Sequence, residues 1–391
     1  MNFCAIICEY NPFTNGHEYL IKKAIEETGL PVLCIMSGNF VQRGEPSVLS
    51  KFDRAQYAIL AGASIVIELP TIYATAPAEV FARGAINILS KIRNIKYLYF
   101  GAETNDTEKL IKLASLIALE DETFKIKLKE KLKIMTNYRK AYNNTIAELY
   151  GDEASNLLSG SNNILGIEYL KALQYYSSKI VPKAIMRQGE SYNSDYCDLK
   201  YSSASYLRNC NNLSIIKQNT PLFTHKTINF AENVNGDKLE TIIKKSFIDL
   251  SPMQLKNIFD MSCGIENKIL NEINKGSSLE ELIINTENQQ FSKARIKRIL
   301  LHTAFGITNE MVINSFNEDL YIKVLACDKH NKNILSSIDS KLQIITTKKD
   351  YDKLNEFSKE VINIDINSSD KYSLITNTPL SIDYKTGVIF I

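Results

Sequence analysis

Four consecutive residues, Thr14-Asn15-Gly16-His17, have the types and spacing to hold a phosphate. Gly16 removes a side chain where backbone must come close to a ligand. A helix opening there presents unpaired N–H groups and the positive end of its dipole to an anion. His17, in the first turn, can donate a ring N–H to oxygens on which charge develops, and Thr14 adds a hydroxyl on the same side. A second stretch of this kind is Ser202-Ser203-Ala204-Ser205-Tyr206-Leu207-Arg208. Hydroxyls and N–H groups at a helix start, Ser202 and Ser203 among them, would take the β- and γ-phosphates, with Arg208 adding charge behind them. No Cys or Ser stands in a nucleophile motif, so the chemistry indicated is transfer assisted by donors, without an acyl-enzyme.

Two further stretches carry charge. Met36–Pro46 is long and holds two glycines, which predicts a mobile binding loop. Arg43 and Lys51 would bring positive charge over a triphosphate, Arg54 would brace the loop from its helix, and Ser37, Gly38 and Asn39 are candidates to hold a small second substrate. Phe291–Arg298 bears Lys293, Arg295, Lys297 and Arg298, with no acid between Asn288 and Asn309. Lys293, Lys297 and the neighbouring Arg298 share roughly one helical face, while Ile296, Ile299 and Leu300 can face a core. Such a stripe suits a nucleic-acid phosphate backbone. His302 and His330 lie among core-like or loop residues and do not read as ligands.

The elements that must position these groups are legible as alternating apolar β-branched runs and amphipathic stretches. Strands are expected at Phe3–Cys8, Pro31–Met36, Ser64–Leu69, Ile95–Phe100 and Ile180–Arg187. Helices are expected at Gly16–Thr28, Lys51–Ala61 and Pro77–Ile92, and again from Asn162-Asn163-Ile164-Leu165-Gly166 and from Ser202. Short apolar runs separated by helices predict a doubly wound parallel α/β sheet, whose ligands bind at the carboxyl ends of its strands. Lysine-rich 107–154, with Lys125, Lys127, Lys129, Lys131 and Lys133 spaced around a helix, reads as a solvated helical insertion. From about Asn211 the texture changes to Asn-rich connections and mixed helices. Tyr321–Ala326, Leu342–Thr346 and Glu360–Ile366 are then expected as strands of a smaller C-terminal α/β domain. The division predicted is 1–210, with an insertion at about 105–160, and 211–391.

The 391 residues are 45% hydrophobic and 23% charged with net charge +2, which excludes a disordered chain and a general nucleic-acid coat. No apolar run reaches the roughly 18 residues of a membrane span, and the opening Met1-Asn2-Phe3-Cys4 reads as a strand, not a signal peptide. Seven scattered cysteines (4, 8, 34, 197, 210, 263 and 327) without Cys-x-x-Cys spacing argue against zinc and disulfides and for a reducing cytoplasm. Mg²⁺ often accompanies ATP in nucleotidyl transfer, but no carboxylate cluster marks a dedicated metal site. The sequence sets no oligomeric state.

Thr14–His17 resembles the His/Thr-x-Gly-His motif of the nucleotidylyltransferase superfamily, and Ser202–Arg208 its Ser-Ser-Thr-x-x-Arg-like turn. Glu9-Tyr10-Asn11-Pro12-Phe13, Met36–Pro46, Glu68-Leu69-Pro70, Phe100-Gly101-Ala102-Glu103, Asn162–Gly166 and Arg187 then follow in order. Together they are similar to the tRNA(Met) cytidine acetate ligase family, whose C-terminal basic helix Arg295-Ile296-Lys297-Arg298 also resembles. The family usually carries His where Thr14 stands, so this chain has one imidazole instead of two. The resemblance implies a Rossmann-like nucleotidylyltransferase core and a two-step reaction. Acetate attacks the α-phosphorus of ATP, and the acetyl group of the resulting acetyl-adenylate passes to N4 of the wobble cytidine of elongator tRNA(Met). It implies His17 and Thr14 as catalytic residues. It further implies an ATP site lined by Ile7, Cys8, Glu9, Tyr10, Asn11, Pro12, Phe13, Thr14, Asn15, Gly16, His17, Glu18, Tyr19 and Leu20, by Gly101, by Asn162 or Asn163, and by Arg187. Two alternatives stay open: a small-molecule adenylyl- or cytidylyltransferase of cofactor synthesis, and a non-catalytic nucleotide- and RNA-binding protein.

Overall fold

A computed structural model describes residues 1–119, 121–135, 138–188, 200–227, 234–331 and 333–391. Cys197 falls outside them. Its strands are β1 (Phe3–Cys8), β2 (Val32–Ser37), β3 (Phe40–Val41), β4 (Glu45–Pro46), β5 (Ile65–Leu69), β6 (Ile95–Ala102), β7 (Val181–Met186), β8 (Tyr321–Cys327), β9 (Gln343–Ile345) and β10 (Ile389–Phe390). One sheet runs β10-β8-β5-β2-β1-β6-β7, with β9 also on β8, and β3–β4 form a separate hairpin. β7, β6, β1, β2 and β5 are mutually parallel, and β8 joins β5 antiparallel.

Burial on both faces explains the continuous apolar runs. Phe3, Ala5, Ile7, Leu33, Ile35, Ile65 and Ile67 enter one core, shared with Phe81, Ala82 and Ala85 and with Ile167 and Leu170 of the helix Ser161–Tyr175. Cys4, Ile6, Val32, Cys34 and Val66 alternate to the other face. There they meet Ile21 and Ala24 of α1 (Asn15–Thr28) and Ala55 and Ala58 of α2 (Lys51–Leu60). A short helix α3 (Thr71–Ala74) comes first, and the helix expected over 77–92 is α4 (Ala78–Ser90), with Pro77 at its N-cap. Helices from Thr107 to Leu157 fill the lysine-rich insertion, where Lys127 and Lys131 both pair with Glu148.

Two expectations fail in the C-terminal part. Glu360–Ile366 is not a strand but lies within the 21-residue helix Glu356–Thr376. That helix buries Ser358, Asp365, Ser368, Ser369 and Ser373 beside Val361, Ile362 and Tyr372, so its helical period is written in small polar residues and the β-branched Val-Ile-Asn-Ile read as extended. The strands after residue 320 also build no sheet of their own. β8, β9 and β10 extend the N-terminal sheet beyond β5, so a boundary at 210/211 divides one continuous sheet.

Candidate active site

The carboxyl ends of β1, β2, β6 and β7 bring the chemistry-bearing residues together. The chain leaves β1 through Tyr10, at φ +52, and a cis Asn11–Pro12 bond, then enters α1 with Thr14 as N-cap. The Thr14 N–H donates to His17 Nδ1 at 3.1 Å, with Thr14 Oγ1 3.2 Å from the same nitrogen. A nitrogen that accepts a backbone N–H carries the lone pair, which assigns the ring proton of the neutral imidazole to Nε2. The half-buried ring is flanked by Tyr10 and Phe13, with centroids at 5.0 and 5.7 Å. Burial, reinforced by the Arg187 guanidinium, pushes its pKa down to about 3. His17 is therefore a neutral N–H donor at the positive end of a helix.

Arg187 reaches this end from β7, donating to Asn162 Oδ1 at 2.8 Å, and its Cγ lies 3.4 Å from where a Cβ on Gly101 would stand. Glu103 organises the helix Ser161–Tyr175. Its carboxylate accepts from the Asn162 backbone N–H (3.1 Å), Asn162 Nδ2 (2.7 Å) and the Asn163 N–H (2.7 Å), while its own N–H donates to Asn163 Oδ1 at 2.9 Å. Asn163 is thus buried and committed to the strand end, and the partly buried Asn162 is the one beside Arg187. A Cβ on Gly160 would stand 2.4 Å from Glu103 Oε2, so the glycine makes room for this carboxylate. Sequence reasoning gave Glu103 no role; its signal was an acid at a strand end opposite a Gly-Ser-Asn-Asn helix start.

The Ser202–Arg208 turn docks on the same loop. Asn15 Nδ2 donates to the Lys200 and Gln218 carbonyls at 2.9 Å each, and Arg208 donates to the Asn11 carbonyl at 2.5 Å and to Ser205 Oγ at 3.2 Å. Ser203 Oγ caps the five-residue helix Ala204–Arg208 by accepting from Tyr206 N–H, and the Ser202 N–H donates to Asn219 Oδ1. Glu18 pairs with Lys22 at 2.6 Å, and Tyr19 stacks edge-on to Tyr201 at 6.4 Å. Ile7 is buried in the core, with Cys8 and Leu20 partly so. Glu9 accepts from the Gln42 N–H at 2.8 Å, and burial raises its pKa.

The stretch after β2 is not a mobile loop. Phe40 packs on Phe305 and Tyr372, and β3–β4 form a closed hairpin. Arg54, fully buried, donates to the carbonyls of Glu9 (2.5 Å), Ser37 (3.1 Å), Leu49 (3.1 Å) and Gly38, which is the bracing role expected of it. Arg43 is exposed at the hairpin. Lys51, expected over a triphosphate, instead points into the core. Its Nζ lies 2.8 Å from Glu68 Oε1, 2.7 Å from Asp383 Oδ1 and 3.0 Å from Ser369 Oγ, at zero exposure. Lys323 closes the network, 2.9 Å from Glu68 and 2.6 Å from Asp383. Two buried carboxylates need two cations in so dry a place, which draws the lysine inward beside Lys323. Asn39 gives its side chain to the Lys51 N–H and to Ser369, and Gly38 backs onto Glu68, so neither opens toward a substrate. Ser37 Oγ, Asn11 Nδ2 and Gln42 Nε2 are buried without a partner among the described residues.

The basic helix Lys293–Phe305 also differs from its expectation. Of its four cations only Lys293 is exposed, 3.8 Å from Glu287. Arg295 pairs with Asp260 at 2.7 Å and lies over the Phe291 ring, while Lys297 pairs with Glu45 of the hairpin at 3.0 Å. Arg298 is partly buried with Nε unpartnered. The hairpin tip explains this: Gly44, at φ +75, sits so close that a Cβ would be 2.6 Å from the Arg298 backbone nitrogen. Among the described residues no group of three or more His, Cys, Asp or Glu converges as a metal site, and no helix is long and apolar enough to cross a membrane.

A family model described as HIGH Nucleotidyl Transferase matches residues 1–386. The tRNA(Met) cytidine acetate ligase of Caldanaerobacter subterraneus subsp. tengcongensis is 37% identical over 96% of this chain and 95% of its own. That of Clostridium novyi is 34% identical over 100% of both. A crystal structure of Thermotoga maritima TmcAL bound with alpha-thio ATP superposes with TM-score 0.89 at 25% identity over 100% of both chains, and the apo form with TM-score 0.90 at 26%.

Proposed function

The chain belongs to the tRNA(Met) cytidine acetate ligase family of HIGH nucleotidyl transferases, and we propose the following division of labour for its reaction. It is an ATP-dependent ligase that acetylates a tRNA cytidine. In the first step an acetate oxygen attacks the α-phosphorus of ATP, the bond to the β-phosphate oxygen breaks, and diphosphate leaves. In the second, N4 of the wobble cytidine of elongator tRNA(Met) attacks the acetyl carbon, AMP departs and N4 loses a proton. ATP is a substrate, acetate the second, tRNA the acceptor, and the cytoplasm the place where they meet.

The observation that carries the assignment of roles is the neutral His17, locked by the Thr14 N–H so that Nε2–H is the free donor. Charge on the phosphates grows as diphosphate leaves, and a preorganised donor beside a helix N-terminus stabilises it without changing protonation state. The Thr14 backbone N–H supplies the locking bond, with Thr14 Oγ1 at hydrogen-bond distance of the same nitrogen. Arg187, held by Asn162, and Arg208, held by the Asn11 carbonyl, supply fixed positive charge. For acetate we assign the unpartnered donors Ser37 Oγ, Asn11 Nδ2 and Gln42 Nε2 around Glu9, since buried donors without acceptors are what a small carboxylate would satisfy. Any Mg²⁺ would enter on the triphosphate.

The test is incubation with ATP, labelled acetate and purified elongator tRNA(Met), followed by nucleoside analysis. Label in N4-acetylcytidine is the expected result. Acyl-adenylate with no transfer to RNA would redirect the acceptor assignment, and a chain that binds no ATP by calorimetry would refute the ligase. Relatives that match end to end carry the ligase name, which speaks against the cofactor-synthesis and non-catalytic alternatives.

A further inference from the structure

The RNA surface expected on the basic helix is largely spent on internal partners, so the chain's unspent positive charge has to be sought elsewhere. Three lysines outside any ion pair among the described residues stand together at the far edge of the sheet. β9 covers Tyr321–Lys323 of β8 and β10 covers Ala326–Cys327, leaving Val324 and Leu325 between them without a strand partner on that side. The register against β5 also shifts there, between Val66 and Ile67. The gap opens into a cavity of about 440 Å³ bounded by Phe52, Lys323–Leu325, Ile345–Lys349, Tyr351 and Asp383–Gly387. Its rim holds three exposed lysines, Lys348, Lys349 and Lys385, with no acid within ion-pair distance among the described residues. Lys348 stands over the Tyr384 ring at 4.7 Å, and the Tyr351 and Tyr384 rings lie 5.8 Å apart, tilted by 53°. Its floor is the buried pair Lys323–Asp383, whose Asp383 Oδ2 has no partner.

We propose that this cavity binds a nucleoside phosphate, presented as one unstacked nucleotide of the RNA substrate. Cations on a rim pair with phosphate and account for most affinity in such contacts. Exposed Tyr384, with the partly buried Tyr351 beside it, offers a stacking face to a base taken out of its helix, which is how proteins read single-stranded RNA. The volume lies in the range that small ligands of this size fill. The unpaired Asp383 oxygen is an acceptor that an exocyclic amino group would complete. The gap between β9 and β10 is thus ringed by lysines from the segments that follow β9 and precede β10. The floor connects inward as well: Asp383 and Lys323 share Glu68 and Lys51 with the segment Gly38–Asn39 at the carboxyl end of β2.

This inference rests on the tRNA-acetylating reading, and its test separates the two. The full chain carrying Lys348→Glu, Lys349→Glu and Lys385→Glu, and separately Tyr384→Ala, would be titrated with elongator tRNA(Met) at several salt concentrations, with ATP binding as the check on folding. The triple variant should bind tRNA at least tenfold more weakly, with a log–log salt slope lower by about 2 to 3 if each lysine pairs one phosphate. Tyr384→Ala, which changes no charge, should weaken binding severalfold through lost stacking. Unchanged tRNA affinity in both variants overturns the proposal. So does tight binding of free AMP or CMP that is lost in the triple variant while tRNA affinity stays, because the cavity would then serve a free nucleotide. A parent chain that neither forms acetyl-adenylate nor binds tRNA fails the ligase reading itself, a result distinct from either.

Discussion

Replacing Lys51 with Met tests whether this cation belongs to the fold or to the nucleotide. Lys51 is wholly buried, bonded to both oxygens of Glu68 at 2.8 and 2.9 Å, to Asp383 and to Ser369. Methionine keeps most of the stem but leaves two buried carboxylates to share Lys323 alone. Removing one partner of a buried ion pair typically destabilises by about 3–5 kcal/mol, because the remaining charge is uncompensated. Lys323 still lies within 3 Å of both carboxylates, so the lower end, about 3 kcal/mol, is expected. The assay is urea unfolding followed by circular dichroism, together with calorimetric ATP affinity of the folded variant, expected within twofold of the parent. Adding Asp383→Asn to Lys51→Met should recover part of the loss, since fewer charges are then stranded, giving a coupling energy of about 1 kcal/mol or more. A Lys51→Met protein as stable as the parent but tenfold weaker for ATP would refute the network and return Lys51 to the triphosphate.

Other perturbations have equally definite outcomes. His17→Ala removes the locked donor and should slow acetyl-adenylate formation by about 10²–10³, with tRNA affinity unchanged, as diphosphate release and tRNA titration would show. Glu103→Gln frees Asn162 and with it Arg187, so the ATP KM should rise about tenfold while far-UV dichroism is retained; a fall in kcat with KM unchanged would refute this positioning role. His17 and His302, the latter fully buried between the Phe259 and Thr75 carbonyls, have pKa values near 3 and 4, below the 6.5 of an unfolded histidine. The unfolded chain therefore binds more protons between pH 6.5 and 4, and denaturation midpoints should fall as the pH is lowered through that window, less so in His302→Gln. Gly44→Ala must both tolerate a positive φ and push away Arg298, so it should destabilise by about 1–3 kcal/mol, and Arg295→Ala should loosen the Asp260 contact in hydrogen exchange before it weakens tRNA binding.

The N-terminal sheet was legible because its central strands β1, β2 and β5 are apolar on both faces and the helices between them are amphipathic, so local pattern and tertiary placement agree. The Thr14–His17 turn was legible for the same reason: a phosphate-binding turn needs only a strand before it and a helix after it. Lys51 was not, because nothing local tells a lysine that its partners are Glu68 and a residue more than 300 positions on. The basic helix misled in the same way. Counting acids within the helix missed Asp260 and Glu45, which reach Arg295 and Lys297 from other elements. Glu356–Thr376 was misread since its inward face is serine and aspartate, bonded to Thr71 and Tyr321, and hydropathy cannot distinguish a satisfied buried polar face from a solvated one.

The sheet's order of assembly has a temporal consequence. β8 lies against β5 although about 250 residues of chain separate them, and Asp383 arrives later still to neutralise Lys51. On the ribosome, β5 must emerge and wait with an apolar edge, and Glu68 with Lys51 alone as its ion-pair partner, until β8 is made. Such long-range pairing slows folding and leaves the nascent sheet open to association with other chains. The helices inserted between β6 and β7, and those between β7 and β8, can form meanwhile from local contacts. The nucleotide end of the enzyme should therefore become rigid only once β8 is made, about 300 residues after its phosphate turn.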